Sequence, residues 1–242
     1  MKIRSPEGSM IMENQQKQWD QSYFNRDNFL FYPHEEVIRF VSKFIRKRVG
    51  LREFKDVGKF ARPPRLLDMG CGIGRHVIYG QVMGLEAYGV DLSQAAIDVA
   101  REWARQEGVP HPEERLRQGD IRQLPWSDHF FDFVVSHGVL DSMHFPIAQQ
   151  VVSEVHRVVA PGGLFYCDLI SGDDSAHARE FSGEEMVKTT HEQGTIQSYF
   201  NHEKIKSLFG QYFEIKECLL MKTTDVLRGS FRSRYHVVLR KI

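Results

Sequence analysis

Downstream of Arg62-Pro63-Pro64, short apolar runs alternate with amphipathic stretches, and no other feature of the chain constrains its fold as tightly. An apolar run with no polar alternation suits a strand covered on both faces. Parallel neighbours need a crossover long enough to carry a helix, which is the βαβ unit. The reading places strands over 65–69, 87–90, 115–118, 131–136 and 164–170, with helices near 74–81, 93–106 and 147–158. Ser93 is the expected N-cap of the second helix. Farther on, Asn201 caps a short helix ending at Gly210, and two long β-rich runs follow at 212–221 and 231–240, a pair suited to an antiparallel hairpin at the sheet edge. The expected fold is α/β: a doubly wound, mostly parallel seven-stranded sheet with a C-terminal antiparallel hairpin.

The first strand leads into Asp68-Met69-Gly70-Cys71-Gly72-Ile73-Gly74-Arg75, three alternating glycines entering a helix. Without side chains there, a ligand can lie against the backbone at the carboxyl edge of the sheet, where open α/β folds bind their ligands. The next strand ends in Asp91, about twenty residues on, where a carboxylate can accept from both hydroxyls of a ribose. Cys71 reads as a small residue tolerated between glycines, since a nucleophilic thiol needs a neighbouring base.

These features do not stand alone. The loop 68–74, Asp91-Leu92-Ser93, Gly119-Asp120-Ile121, the run 131–136 ending in Ser136, and Ala160-Pro161-Gly162-Gly163-Leu164 follow one another over roughly the central hundred residues. In that order and spacing the chain resembles the class I S-adenosylmethionine-dependent methyltransferases, in their small-molecule branch. The resemblance implies a Rossmann-like methyltransferase fold and S-adenosyl-L-methionine as cofactor, leaving as S-adenosyl-L-homocysteine. It implies that the loop at Gly70 and Gly72 passes under the methionyl part, that Asp91 holds the ribose, and that Asp120 and Ile121 address the adenine, with Cys71, Gly74, Leu92 and His137 also among the cofactor-binding residues. It further implies that Ser136 offers a backbone carbonyl to the methionyl amino group and that Asp68 orients the loop or meets the ligand through water. Pro161-Gly162-Gly163 ends a helix and starts the fifth strand.

Methyl transfer from a sulfonium asks mainly for alignment, so a dedicated base is optional. For a hydroxyl or protonated amine acceptor, a neutral imidazole within reach helps remove the proton. His137 and His144, just after the fourth strand, are the catalytic candidates. His137, Asp141 and His144 on one helical face lack a further neutral donor, and no metal is expected. Trp19, Tyr23, Tyr32 and His34 belong to an aromatic N-terminal segment expected to fold over the cofactor, with Tyr23 as its best binding candidate. Arg75 suits either an anionic group or a salt bridge. His177 and His191 reach the acceptor only if the polar stretch around them is a lid, while His156, His202 and His236 lie without ligand spacing.

Two other classes share parts of this pattern. A nicotinamide-dependent oxidoreductase needs GxGxxG, whose third glycine falls where Arg75 stands here. A non-catalytic S-adenosylmethionine-binding protein keeps the cofactor residues, and sequence separates it poorly. The formal charge of +0, from 32 basic and 32 acidic residues, gives no field for a polyanion and argues against a nucleic-acid partner. The basic cluster Arg46-Lys47-Arg48 reads as the C-terminal end of an amphipathic helix over 35–48. Three cysteines without CxxC spacing predict a reducing cytoplasm, and no apolar run is long enough for a membrane span. The domain reading is a disordered or tag-derived leader over 1–12 and one domain over 13–242. That domain carries a helical cap at about 15–50 and an insertion or lid at about 171–200, and the expected partner is a small-molecule acceptor.

Overall fold

The computed structural model describes residues 6–26, 28–188 and 194–242. Helix α1 (Pro6–Phe24) comes first, then α2 (Glu35–Phe40) continuing into a π turn, Val41–Ile45, and a small antiparallel pair, β1 (Arg46–Arg48) with β2 (Phe54–Asp56). The alternating region follows as β3 (Arg65–Met69), α3 (Arg75–Val82), β4 (Glu86–Asp91), α4 (Gln94–Gln106), α5 (Pro112–Arg115), β5 (Leu116–Gln118), β6 (Phe131–Ser136), α6 (Phe145–Val158) and β7 (Val159–Ile170). After a second small pair, β8 (Glu184–Met186) with β9 (Ile196–Ser198), come α7 (His202–Phe209), β10 (Phe213–Thr224) and β11 (Phe231–Lys241).

Seven strands make the main sheet, in the order β10-β11-β7-β6-β3-β4-β5. The five central crossover strands run parallel, and β11 pairs antiparallel with both β7 and β10. Consecutive residues of a strand face opposite sides, and the core records it. Leu67, Val134, Phe165 and Val237 join Val151, Val152 and Val155 of α6 on one face. Their neighbours Leu66, Val135, Tyr166 and Val238 join Val37, Phe40 and Val41 on the other. This two-sided cover explains why the strands read as unbroken apolar runs. Helices α3 and α4 pack beside them through Val77, Ile78, Ala100 and Ala104 against Ala87 and Leu116.

Two local expectations are corrected. The helix expected over 35–48 stops early, and Arg46–Arg48 is a strand. Arg46 there donates to the carbonyl oxygens of Met83 (3.2 Å) and Gly84 (2.9 Å) at the end of α3 and pairs with Asp56, contacts a helical course would forgo. The Pro161-Gly162-Gly163 segment lies inside β7, which already starts at Val159. The strand absorbs it through a register shift opposite Phe131 and Phe133 and a positive φ of 73° at Gly162. Helix α1 starts at Pro6, within the leader read as disordered or tag-derived, whose residues 1–5 lie outside the described residues. The C-terminal part of α1 is docked: Asp20 accepts from the Ser93 hydroxyl (2.6 Å) and the Ala95 amide (3.3 Å) at the start of α4.

The stretch 171–200 is anchored at its base, where Gly172 donates to the Phe200 carbonyl, Ser198 to that of Asp141, and Phe200 is fully buried. No helix among the described residues is long and apolar enough to cross a membrane.

Candidate active site

At the carboxyl edge of β3, β4 and β6 a cavity of about 320 Å³ opens between the glycine loop, the 137–143 segment and α1. Gly70 and Gly72 hold φ of 73° and 52°, and there is no room for a side chain on either. A Cβ on Gly70 would lie 2.4 Å from Val139 Cγ2, and one on Gly72 would lie 2.5 Å from the Tyr23 hydroxyl. The loop is therefore clasped between the segment after β6 and the cap helix.

Asp91, at the end of β4, is buried, and each oxygen accepts one backbone N–H: Oδ2 from Gly72 at 2.8 Å and Oδ1 from Ser93 at 2.9 Å. Each keeps a further lone pair for a ligand hydroxyl. Burial pushes its pKa up to about 6, against the pull of those two amides. Asp68 is buried behind the loop; its Oδ1 accepts from His76 Nδ1 (3.3 Å), and Oδ2 has no partner among the described residues. The His34 amide donates to His76 Nε2 (3.3 Å), which fixes the proton of this ring on Nδ1.

His137 sits where β6 ends. Arg75 Nη2 donates to its Nδ1 (3.3 Å), so the ring proton is on Nε2, 3.5 Å from Asp168 Oδ2 and short of a formed hydrogen bond. Its ring lies 4.0 Å from that of His34. Burial pushes its pKa down to about 3 despite the Asp168 carboxylate, so the imidazole is neutral. Asp168 accepts from the Gly138 amide (2.7 Å) and from Arg234 Nε (2.7 Å). Burial would raise this carboxyl, but Arg234 holds it below its ordinary value. Arg234 also bonds Asp141 Oδ2 (2.6 Å), which accepts from the Ile170 amide (2.8 Å), so β7 and β11 grip the segment that carries His137.

Of the residues picked out in the sequence, Tyr23, Gly70, Cys71, Gly72, Asp91, Leu92, Asp120, Ile121 and His137 line the cavity. Asp68, Gly74 and Ser136 lie one layer behind, with the Ser136 hydroxyl buried and without a partner among the described residues. Asp120 spends lone pairs on Arg122, from the backbone amide at 2.9 Å and the guanidinium at 3.1 Å. Burial raises the Tyr23 phenol well above its ordinary value, and Asp91 adds to the effect.

His144 is a correction. As the residue before α6 it turns outward, half exposed, and bonds Glu184 Oε2 (2.6 Å) on β8, away from the cavity. With His144 there and Asp141 on Arg234, His137, Asp141 and His144 do not converge. The stretch 171–200 gives the cavity wall none of its described residues. The cover comes from α1 and the loop after it, through Gln15, Trp19, Tyr23, Asn28 and Leu30. His177 pairs with Asp174 instead, and His191 lies outside the described residues. Sequence reasoning missed His76, Asp168 and Arg234, whose site partners are 8, 31 and 66 positions away. Only the i,i+8 spacing of Asp68 and His76 across a strand-to-helix turn was a signal.

Residues 67–167 match the family model described as a methyltransferase domain. An uncharacterised methyltransferase of Schizosaccharomyces pombe is 37% identical over 121 residues, covering 44% of this chain and 41% of that protein. The sterol 24-C-methyltransferase ERG6B of Gibberella zeae is 29% identical over 126 residues, covering 48% of this chain and 31% of its own. This chain thus spans less than half the length of either relative. Among solved structures, the 1,6-didemethyltoxoflavin-N1-methyltransferase of Burkholderia thailandensis, with bound 1,6-didemethyltoxoflavin and S-adenosylhomocysteine, superposes with a TM-score of 0.68. It is 15% identical, and the match covers 100% of this chain and 92% of that one.

Proposed function

We propose that this chain is a class I S-adenosylmethionine-dependent methyltransferase, a reading supported by the match of residues 67–167 to a methyltransferase domain, and that it moves a methyl group from S-adenosylmethionine to an oxygen or nitrogen atom of a small-molecule acceptor by in-line displacement. One observation carries the reading: a side-chain-free glycine loop, a carboxylate with spare lone pairs and a neutral imidazole meet at one cavity. The residues fit the cofactor on their own chemistry. Asp68 Oδ2 is a buried acceptor with no donor among the described residues, and the Gly70 and Gly72 backbone is open to close approach.

In this reading Asp91 accepts from the two ribose hydroxyls, with Leu92 beside it. Ile121 covers the adenine, and Asp120, which holds the turn through Arg122, lies at the adenine end beside it. Asp68 and the Ser136 carbonyl receive the methionyl ammonium, Cys71 and Gly74 shape the loop, and Tyr23 closes it from above. The bound cofactor supplies a methyl carbon on a sulfonium: the acceptor forms the new bond, and the carbon–sulfur pair stays on sulfur. His137 takes the acceptor proton on Nδ1, and the resulting imidazolium faces the Asp168 carboxylate, which stabilises it. A carbon acceptor is the second reading, favoured by the likeness to a sterol 24-C-methyltransferase.

Calorimetric titration with S-adenosylmethionine and with NADH comes first; binding of the former alone is expected, and binding of NADH alone rejects the proposal. A screen of hydroxyl, amine and activated-carbon acceptors with labelled methyl donor then assigns the acceptor atom. On an oxygen or nitrogen acceptor, His137→Gln is expected to lower kcat by about a hundredfold. An unchanged kcat there removes His137 as the base, and donor binding without transfer to any acceptor supports a non-catalytic binding protein instead.

A further inference from the structure

Arg75 opens α3 and forms part of the cavity wall, yet its guanidinium has no ion-pair partner among the described residues. Its two hydrogen bonds go to neutral acceptors, His137 Nδ1 (3.3 Å) and the Tyr32 carbonyl (3.5 Å). Asp68 and Asp168 act on it only through space, and burial lowers its pKa. A partly desolvated cation held by neutral groups is an unfinished site for an anion, and the planar fork of Arg suits a carboxylate best. One layer behind that wall, beneath the glycine loop, Asp68 Oδ2 is a buried acceptor without a donor among the described residues. An orphan carboxylate oxygen and an unpaired guanidinium together match the two ends of an α-amino acid zwitterion.

The bond to His137 gives that site a consequence. A neutral imidazole has one lone pair, and here it is the Nδ1 pair that Arg75 occupies, with the ring proton on the Asp168 side. While Arg75 stays there, His137 can accept no proton from an acceptor.

We propose that Arg75 is a carboxylate-binding latch: a ligand carboxylate draws its guanidinium off His137 and so frees Nδ1 to act as the base. This rests on the methyl-donor reading above. The nearest source is the methionyl carboxylate of the donor, which makes the base available only once the donor is in place. Arg75 is then a positioning residue for His137 as well as a binding residue.

The test uses the whole chain with S-adenosylhomocysteine and its decarboxylated analogue, which lacks the carboxylate alone. Calorimetry is expected to give the parent ligand at least about a tenfold advantage, shrinking to about twofold in Arg75→Gln. In wild-type protein carrying ¹⁵N-histidine, the Nδ1 resonance of His137 is expected to move toward that of an unbonded imidazole nitrogen with S-adenosylhomocysteine and to stay put with the analogue. That arm needs no variant to fold. If the carboxylate belongs to the acceptor instead, both adenosyl ligands bind equally and leave Nδ1 in place, and acetate added to the S-adenosylhomocysteine complex moves it. Equal affinities with Nδ1 unmoved by acetate overturn the latch and leave the donor reading standing. Failure of both adenosyl ligands to bind overturns the donor reading and the latch with it.

Discussion

Asp91 shows how a single carboxylate couples the fold to its ligand. Its oxygens tie the glycine loop to the start of α4 through Gly72 and Ser93, and burial holds its pKa at about 6. A ribose hydroxyl donates only to the ionised form, so donor binding must deprotonate whatever fraction of Asp91 is protonated. Below pH 6 the affinity for S-adenosylhomocysteine is expected to fall by up to about tenfold per pH unit, with proton release on binding visible as a buffer-dependent heat. Asp91→Ala is expected to weaken binding at pH 7.5 by at least about tenfold and to flatten that pH dependence. Full affinity in a folded Asp91→Ala protein would reject the ribose assignment. The place of Asp91 was legible because a strand end and a glycine loop have fixed spacing in this topology. The surroundings of His137 were not: its partners Arg75, Asp168 and His34 come from three other segments, and only the packed sheet brings them together. His144 misled for the same reason, since its partner Glu184 belongs to a small hairpin with no periodic signal.

Among the elements, the crossover strands and helices were readable because burial on both faces leaves the sequence little freedom, and β3 and β6 carry the expected bounds. Segments whose conformation depends on a neighbour were not readable. Arg46–Arg48 has helix-compatible residues, but Arg46 is held by carbonyls at the end of α3. The cap over the site was expected as an aromatic segment within a helical cap at about 15–50, and the hold of α1 on the glycine loop through Tyr23 can be measured. Gly72→Ala carries both a positive φ of 52° and a Cβ 2.5 Å from the Tyr23 hydroxyl, whereas Gly108→Ala carries a φ of 71° with nothing within 4 Å. Backbone strain alone is expected to cost about 1–2 kcal/mol in either variant. The clash adds to Gly72→Ala alone, so urea unfolding should find it the less stable of the two. Equal losses would mean that α1 does not bear on the loop.

For the whole molecule, the polar interior predicts acid sensitivity. His34, His137, His156 and His236 all have pKa values lowered chiefly by burial. Above pH 6.5 each is neutral in both the folded and the unfolded chain and contributes no pH dependence. As pH falls below that, the unfolded chain takes up protons that the folded one refuses, and stability is lost. For His137, shifted from 6.5 to about 3, the loss at pH 5 is about 2 kcal/mol. Asp91 works in the opposite sense: raised from 3.8 to about 6, it binds a proton in the folded state first and returns about 1.4 kcal/mol at pH 5. Asp141, raised, and His177, raised by Asp174, act in the same direction as Asp91. His34, His156 and His236 add to the His137 side, so the histidines lowered by burial are expected to prevail. The urea midpoint is therefore expected to fall between pH 7.5 and pH 5, and His137→Gln is expected to reduce that slope even while it weakens the fold at neutral pH. A midpoint that holds steady or rises toward pH 5 would mean that the carboxylates, not the histidine row, govern how this sheet is held together.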